Sequence, residues 1–394
     1  MEIEYAIVDA ESLDVRPVAD RLLERAAGEP VSDLERGDIA WSNELALHVL
    51  ELKTNGPASD LAALPDGFQT SIRDANAILG ELGARLLPGG MHPWMDPSTE
   101  SRLWPHETNE VYRAFDRIFG CSGHGWTNLQ SVHVNLPFAD DKEFHRLHAA
   151  IRLVLPLAPA LAASTPIVDG RVGSELDQRL VAYAGNSRRV PAVAGRIVPE
   201  PVDSRLAYDE VILEPLYEAL APHDPEGLLR HEWANARGAI ARFDRGSIEI
   251  RLLDTQECVT ADLALVAAVV DVVRWVADQV EATDADRVPT DELADLLQAS
   301  IADGERARIP SGRYRDLLGA GRATTTGGAW SALLERGQRI STHRPFSACL
   351  ERTLGRGPLA RRLLDELGAG PSADRLRDVY RRLCICLEED QPFE

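Results

Sequence analysis

The chain has 394 residues, 44% hydrophobic and 27% charged, a make-up that suits a folded globular protein with one large core or two closely packed domains. Its formal net charge of -21 excludes nucleic acid as a general partner, because a phosphate backbone needs a basic surface that outweighs the surrounding field. Only two lysines, Lys53 and Lys142, stand among the 42 basic residues, and no GxxxxGK[ST] segment occurs, so a P-loop is excluded and any phosphate grip must rest on arginine and metal.

The first residues alternate as a strand, with Ile3, Tyr5 and Ile7 on one face and Glu2 and Glu4 on the other. Two like charges so close repel unless a cation sits between them, although charge also protects an edge strand from aggregation. The same acids, with Asp9, Glu11 and Asp14, fill the place where a leader would carry basic and then apolar residues, so no signal peptide is expected. A helix over 18–27 follows. Trp41 to Pro57 is then open between helix and strand: Glu44 and Glu51 align on a helix, whereas a strand needs a turn or bulge near Ser42 to Glu44 to bring both acids together.

Gly67 to Leu87 reads as one amphipathic helix with Ile72, Ala75, Ile78, Leu79 and Leu82 inward. The segment from Met91 to Pro105, with His92, Pro93 and Trp94, reads as a lid or pocket wall or as an ordinary connection. A helix over 107–119 leads to a strand, 129–136, which turns Val132 and Val134 to the core and Ser131, His133 and Asn135 to the other face. Asp140 to Val154 is a buried helix running into an uncharged stretch, Leu153 to Val168, of 16 residues. That stretch is broken by Pro156, Pro159 and Pro166 and is too short to span a bilayer. Arg179 and Arg189 stand in a Pro- and Gly-rich region, with a loop over 191–201 and a helix over 206–220.

Gly246 to Asp254 is the central motif. At strand period, Ile248, Ile250 and Leu252 face one way while Glu249 and Arg251 share the other face. That pair suits a cation and an anionic ligand, or a solvated charge pair. Helices over 262–280, 291–302, 314–318, 330–336, 358–366 and 373–387 complete the chain, and the tail from Cys386 is expected to be solvated. The five cysteines, Cys121, Cys258, Cys349, Cys384 and Cys386, have no CxxC spacing, which favours a reducing cytoplasm over a disulfide framework.

Together Glu2, Glu4, Glu44, Glu51, His133 and Glu249 exceed the needs of one Mg²⁺. Their order, with the Gly90-x-His92-Pro93 segment, His133-x-Asn135, the proline-rich helix ending Ala163-Ser164-x-Pro166, and Glu249-x-Arg251 running to Asp254, resembles the glutamate-cysteine ligase superfamily, particularly its bacterial carboxylate-amine ligase branch. Glu2 follows Met1 directly, so the first strand is expected to be short. The resemblance implies an α+β, glutamine-synthetase-like fold: an antiparallel sheet curved into a funnel and backed by helices, with residues 1–290 catalytic and 291–394 a helical region packed on them. It also implies ATP and Mg²⁺ (or Mn²⁺), a carboxylate or amino-acid donor activated as an acyl phosphate, and an amine acceptor, with a homodimer left open. Metal binding falls to Glu2, Glu4, Glu44, Glu51, His133 and Glu249, phosphate to Arg251, and the donor carboxylate to Arg179, with Arg189 as competitor; Arg251 and Glu51 carry the chemistry. The alternatives are a nucleotide- or metabolite-binding relative without catalysis, and a metal-dependent amide hydrolase on the same site.

Overall fold

The computed structural model describes residues 1–107, 109–336 and 342–394. Its strands are β1 (Glu2–Asp9), β2 (Asp33–Arg36), β3 (Ile39–Asn43), β4 (Val49–Thr54), β5 (Ala84–Leu87), β6 (Ser131–Pro137), β7 (Ile167–Val168), β8 (Arg171–Val172), β9 (Ala239–Arg242) and β10 (Ser247–Asp254). An antiparallel sheet runs β2-β3-β4-β1-β6-β10-β9, with β5 also paired to β1, while β7 and β8 form a separate hairpin.

Strand alternation sets the two faces of this sheet. Ile3, Tyr5, Ile7, Leu52, Val132, Val134, Ile248, Ile250 and Leu252 are all buried on the core side. The helices Pro65–Gly80, Asp141–Val154 and Val259–Ala277 bring apolar side chains into the same core. Val259–Ala277 is apolar almost all round, as a helix enclosed on every side must be. Its buried Asp262 is satisfied by the Tyr5 hydroxyl at 3.3 Å and the Gln256 N–H at 2.7 Å. Arg152, fully buried, donates to the carbonyls of Pro199 and Val288, a charge held by backbone dipoles. Leu293, Leu297, Trp330, Leu350 and Leu387 belong to the same core, so the C-terminal helices share it with the sheet.

Several expectations change. The stretch left open at 41–57 is two strands, β3 and β4, joined by a turn that carries Glu44. The helix begun at Pro65 ends at Gly80; Gly83 takes φ 67°, and Ala84–Leu87 leaves as β5 to pair with Ala6 to Asp9. β1 starts at Glu2 and is eight residues long, so it is not short. The tail is only partly solvated: Glu389, Gln391 and Glu394 are exposed, but Phe393 is buried, and Arg362 bridges its carbonyl and the buried Glu257 at 2.7 Å each. Four strands, β2, β7, β8 and β9, and the helices Gln178–Gly185 and Ser347–Arg356 lacked a readable pattern. Among the described residues no helix is long and apolar enough to cross a membrane.

Candidate active site

A cleft of about 1080 Å³ opens on the polar face of the sheet, lined by Glu2, Glu4, Glu44, Glu51, His133, Arg179, Glu249 and Arg251 among others. Register explains the convergence. Glu4 lies opposite Glu51, Glu2 opposite His133, and Ser42 opposite Glu51, so four neighbouring strands project polar side chains into one space. The turn after β3 then swings Glu44 towards Glu51.

Two sets of ligand atoms form there. Those of Glu2, Glu51 and His133 lie within 4.8 Å of one another, and so do those of Glu4, Glu44 and Glu51. His133 Nδ1 is 3.0 Å from Glu2 and its Nε2 is 2.8 Å from the Ser131 hydroxyl, while Ser131 N–H donates to Glu4 at 2.8 Å. The Ser42 hydroxyl donates to Glu51 at 2.7 Å, and Lys53 Nζ stands 3.5 Å away.

These acids strain against one another. Burial, then the charges of Glu44 and Glu2, push Glu51 up to about 8. Burial, then Glu4, push Glu44 up to about 7, and burial also raises Glu4. Burial works against charge on Glu2 as well, but its hydrogen bond to His133 and the charge of that ring outweigh it and hold the carboxyl down at about 2. Burial likewise opposes a charged His133, yet the bond to Glu2 and the nearby glutamates raise the ring to about 9. Hard oxygen donors with one imidazole, short of positive charge, fit Mg²⁺ or Mn²⁺.

Glu249 has different company. It is absent from both convergent sets and accepts from Arg251 Nε at 2.5 Å and Arg242 at 3.3 Å. Burial opposes its charge, but Arg251 and His133 keep its pKa below the ordinary value. Arg251 sits at a β-bulge: between Ile250 and Leu253 the register of β10 shifts, so Arg251 and Leu252 together oppose His133. Arg179 is held by the buried carboxylate of Asp254 at 3.1 Å and by the Arg251 carbonyl at 2.8 Å. Asp254 is further clamped by Ser164 and Thr165. Arg189, the competitor, instead donates to the carbonyls of Arg117 and Ile118, capping the helix Asn109–Phe119.

The segment Met91 to Pro105 contributes nothing to the cleft wall. Met91, His92, Met95 and Trp104 are buried, and His92 Nε2 is bonded to the Leu13 carbonyl at 2.7 Å, so the lid reading gives way to an ordered connection. Gly90 earns its place by packing: a Cβ there would meet Asp254 at 2.8 Å.

Sequence reasoning did not place Ser42, Tyr183, Arg242 or Lys53 in the cleft. Lys53 was within reach of it, since it stands two residues after Glu51 on one face. Arg242 was not, because its partner strand cannot be read from Glu249 alone.

The comparisons with known proteins bear on the family and the fold. The family model of "Glutamate-cysteine ligase family 2(GCS2)" matches residues 1–381. An uncharacterised protein of Archaeoglobus fulgidus is 33% identical over 309 residues, which is 78% of this chain and 80% of that protein. A Bordetella parapertussis protein, provisionally named glutamate–cysteine ligase 2, is 27% identical over 183 residues, 43% of this chain and 38% of its own length. The crystal structure of a glutamate–cysteine ligase from Francisella tularensis in complex with AMP shares the fold, with a TM-score of 0.61 over 98% of this chain and 88% of that one at 10% identity. The chain belongs to glutamate-cysteine ligase family 2, and that membership supports an ATP-dependent ligase.

Proposed function

We propose that the cleft is the active site of an ATP- and divalent-metal-dependent carboxylate–amine ligase that forms a γ-glutamyl-type amide through an acyl phosphate. The observation that carries this reading is the convergence of five acidic or imidazole side chains into two ligand sets beside Arg251. The AMP bound by the Francisella tularensis enzyme supports a nucleotide in the corresponding fold. A sheet curved into a funnel around that nucleotide, and a reducing cytoplasmic setting for five free cysteines, are part of the same reading.

Glu2, Glu51 and His133 would hold one cation and Glu4, Glu44 and Glu51 a second. Bound there, divalent cations would neutralise a polyphosphate and polarise its terminal group. Arg251, its guanidinium oriented by Glu249 and by the bulge, faces the transferring phosphoryl group and stabilises its charge. Arg179 offers the N–H groups not taken by Asp254 and the Arg251 carbonyl to the donor carboxylate. A carboxylate oxygen of the donor attacks the γ-phosphorus and ADP leaves. The amine nitrogen then bonds to the carbonyl carbon as the C–O bond to phosphate breaks; phosphate departs with the electron pair and the amine proton passes to solvent.

The test is ADP and phosphate release by the purified protein given ATP, Mg²⁺, glutamate and a panel of amines. Release that requires both donor and amine is expected. Amide cleavage in the absence of ATP, or ATP binding without turnover across the panel, would overturn the ligase reading.

A further inference from the structure

Arg251 is held from several directions at once. Its backbone N–H donates to the Gly238 carbonyl at 2.9 Å, and its own carbonyl accepts from Arg179 at 2.8 Å. Its Nε–H donates to Glu249 at 2.5 Å, and the guanidinium also bonds the Tyr183 hydroxyl. Arg179 and Tyr183 both belong to the helix Gln178–Gly185, where a spacing of one turn puts them on the same face. One helix therefore grips Arg251 at both ends, its backbone through Arg179 and its side chain through Tyr183.

That helix is itself anchored. Its N-cap, the buried Asp177, accepts from the Leu180 N–H at 2.8 Å, and the Thr165 hydroxyl accepts from the Arg179 N–H at 3.0 Å. Further along, the Tyr183 hydroxyl lies 3.5 Å from the carbonyl of Arg237. Arg237 is buried and fixed by Glu200 at 2.6 and 2.8 Å and by Asn235 at 3.1 Å. Gly238, which takes the Arg251 N–H, is the next residue, so the backbone of Arg251 and the hydroxyl of Tyr183 refer to adjacent carbonyls.

Burial raises the pKa of Tyr183, against the pull of Arg251 and Arg179, so the hydroxyl stays neutral. Its oxygen accepts from Arg251 while its hydrogen points to the Arg237 carbonyl. Glu249 alone would leave the guanidinium free to swing about a single Nε–H contact. A second contact fixes its plane and leaves the remaining N–H groups of the fork for an anion in the cleft.

Resting on the ligase reading, we infer that Tyr183 is a positioning residue for phosphoryl transfer: its hydroxyl sets the plane in which the Arg251 guanidinium meets the terminal phosphate of the nucleotide. It acts through Arg251 and not on the phosphate itself.

The full chain is compared with Tyr183→Phe, which keeps the ring and removes the hydroxyl. With ATP, Mg²⁺, glutamate and the amine that releases most ADP, kcat should fall by about tenfold, the scale of one lost hydrogen bond to a charged group, with the KM for the amine unchanged. Calorimetry with Mg²⁺ should show a narrower gap between the affinities for ATP and for ADP, because Arg251 meets the phosphate that distinguishes them. In an Arg251→Met background the same substitution should narrow that gap no further. A full kcat, an unaltered gap (as an equal loss of both affinities would leave), or a further narrowing in the Arg251→Met background overturns the inference and leaves the ligase reading standing. If no amine gives ADP, the ligase reading falls, and the gap between ATP and ADP alone decides whether Tyr183 positions Arg251. Binding of neither nucleotide overturns both.

Discussion

Glu51 and Glu249 are buried carboxylates on the polar face of one sheet, yet their neighbourhoods are opposite. Glu249 sits between Arg251 and Arg242, and its pKa is lowered. Glu51 faces Glu44 and Glu2 with one lysine at 3.5 Å, and its pKa is pushed up to about 8. One side of the cleft is charge-compensated by the chain itself; the other, proposed to hold a cation, is compensated far less. Burial is common to both, so it is the partner and not the depth that separates a carboxylate held charged beside arginines from one pushed towards protonation among other acids.

The sharpest way to break the comparison is kinetic. Glu51→Gln should lower kcat by about 10²–10³-fold and shift the Mg²⁺ dependence to higher concentration, as removal of a group at a charged transition state does. Glu249→Gln should lower kcat through Arg251 with the Mg²⁺ dependence intact. Equal shifts in Mg²⁺ dependence would make Glu249 a ligand, as the sequence alone suggested, and would erase the distinction drawn between the two residues.

A second test reads stability in chelator. The folded pKa of Glu51, about 8, lies above its ordinary 4.5. The folded state therefore holds a proton that the unfolded state has lost, and stability falls as pH rises through that window. Glu51→Gln should flatten this slope and raise the Tm of the metal-free protein at pH 8 by about 2 °C or more, while Glu249→Gln, which strands two arginines, should lower it. Mg²⁺ should stabilise the natural protein more at pH 8 than at pH 6.

The smallest effect lies away from the cleft and has the opposite sign. Burial lowers His148 to about 3 from its ordinary 6.5, with Arg152 adding to the shift. Its ring stacks on Phe144 at 5.3 Å, and neither nitrogen has a partner among the described residues. Below pH 6.5 the unfolded chain takes up a proton that the folded chain refuses, so stability falls as pH drops towards 3. His148→Phe should flatten the acid limb of a plot of Tm against pH and leave ligation unchanged; an unaltered acid limb would show that this histidine is not its source.

How much of this was legible depended on whether the signal was local. Glu2 with Glu4, His133, and Glu249 with Arg251 were readable because strand alternation assigns a face from neighbours alone. Glu44 was harder, since its place depends on a turn between β3 and β4 that the low β-branched content concealed. β5 was absorbed into a helix because Leu86 and Leu87 extend an apolar rhythm that only Gly83 interrupts. The tie between Tyr183 and Arg251 could not be read at all: it joins two separate segments, and nothing in either points to the other. The tail was misread for a similar reason, its acidic run hiding the anchors Leu387 and Phe393.

The extra residue in β10 has one further consequence. Above it, Glu249 is registered against Asn135; below it, Asp254 is registered against Ser131 and tied to Arg179. An added or lost residue in a regular strand would turn every later side chain to the wrong face. Here the irregularity uncouples the two halves, so the anchoring of the lower half and the chemistry of the upper half can drift independently in sequence. Substitutions could re-tool the Asp254 end, proposed for the donor, without disturbing Arg251, proposed for the phosphate.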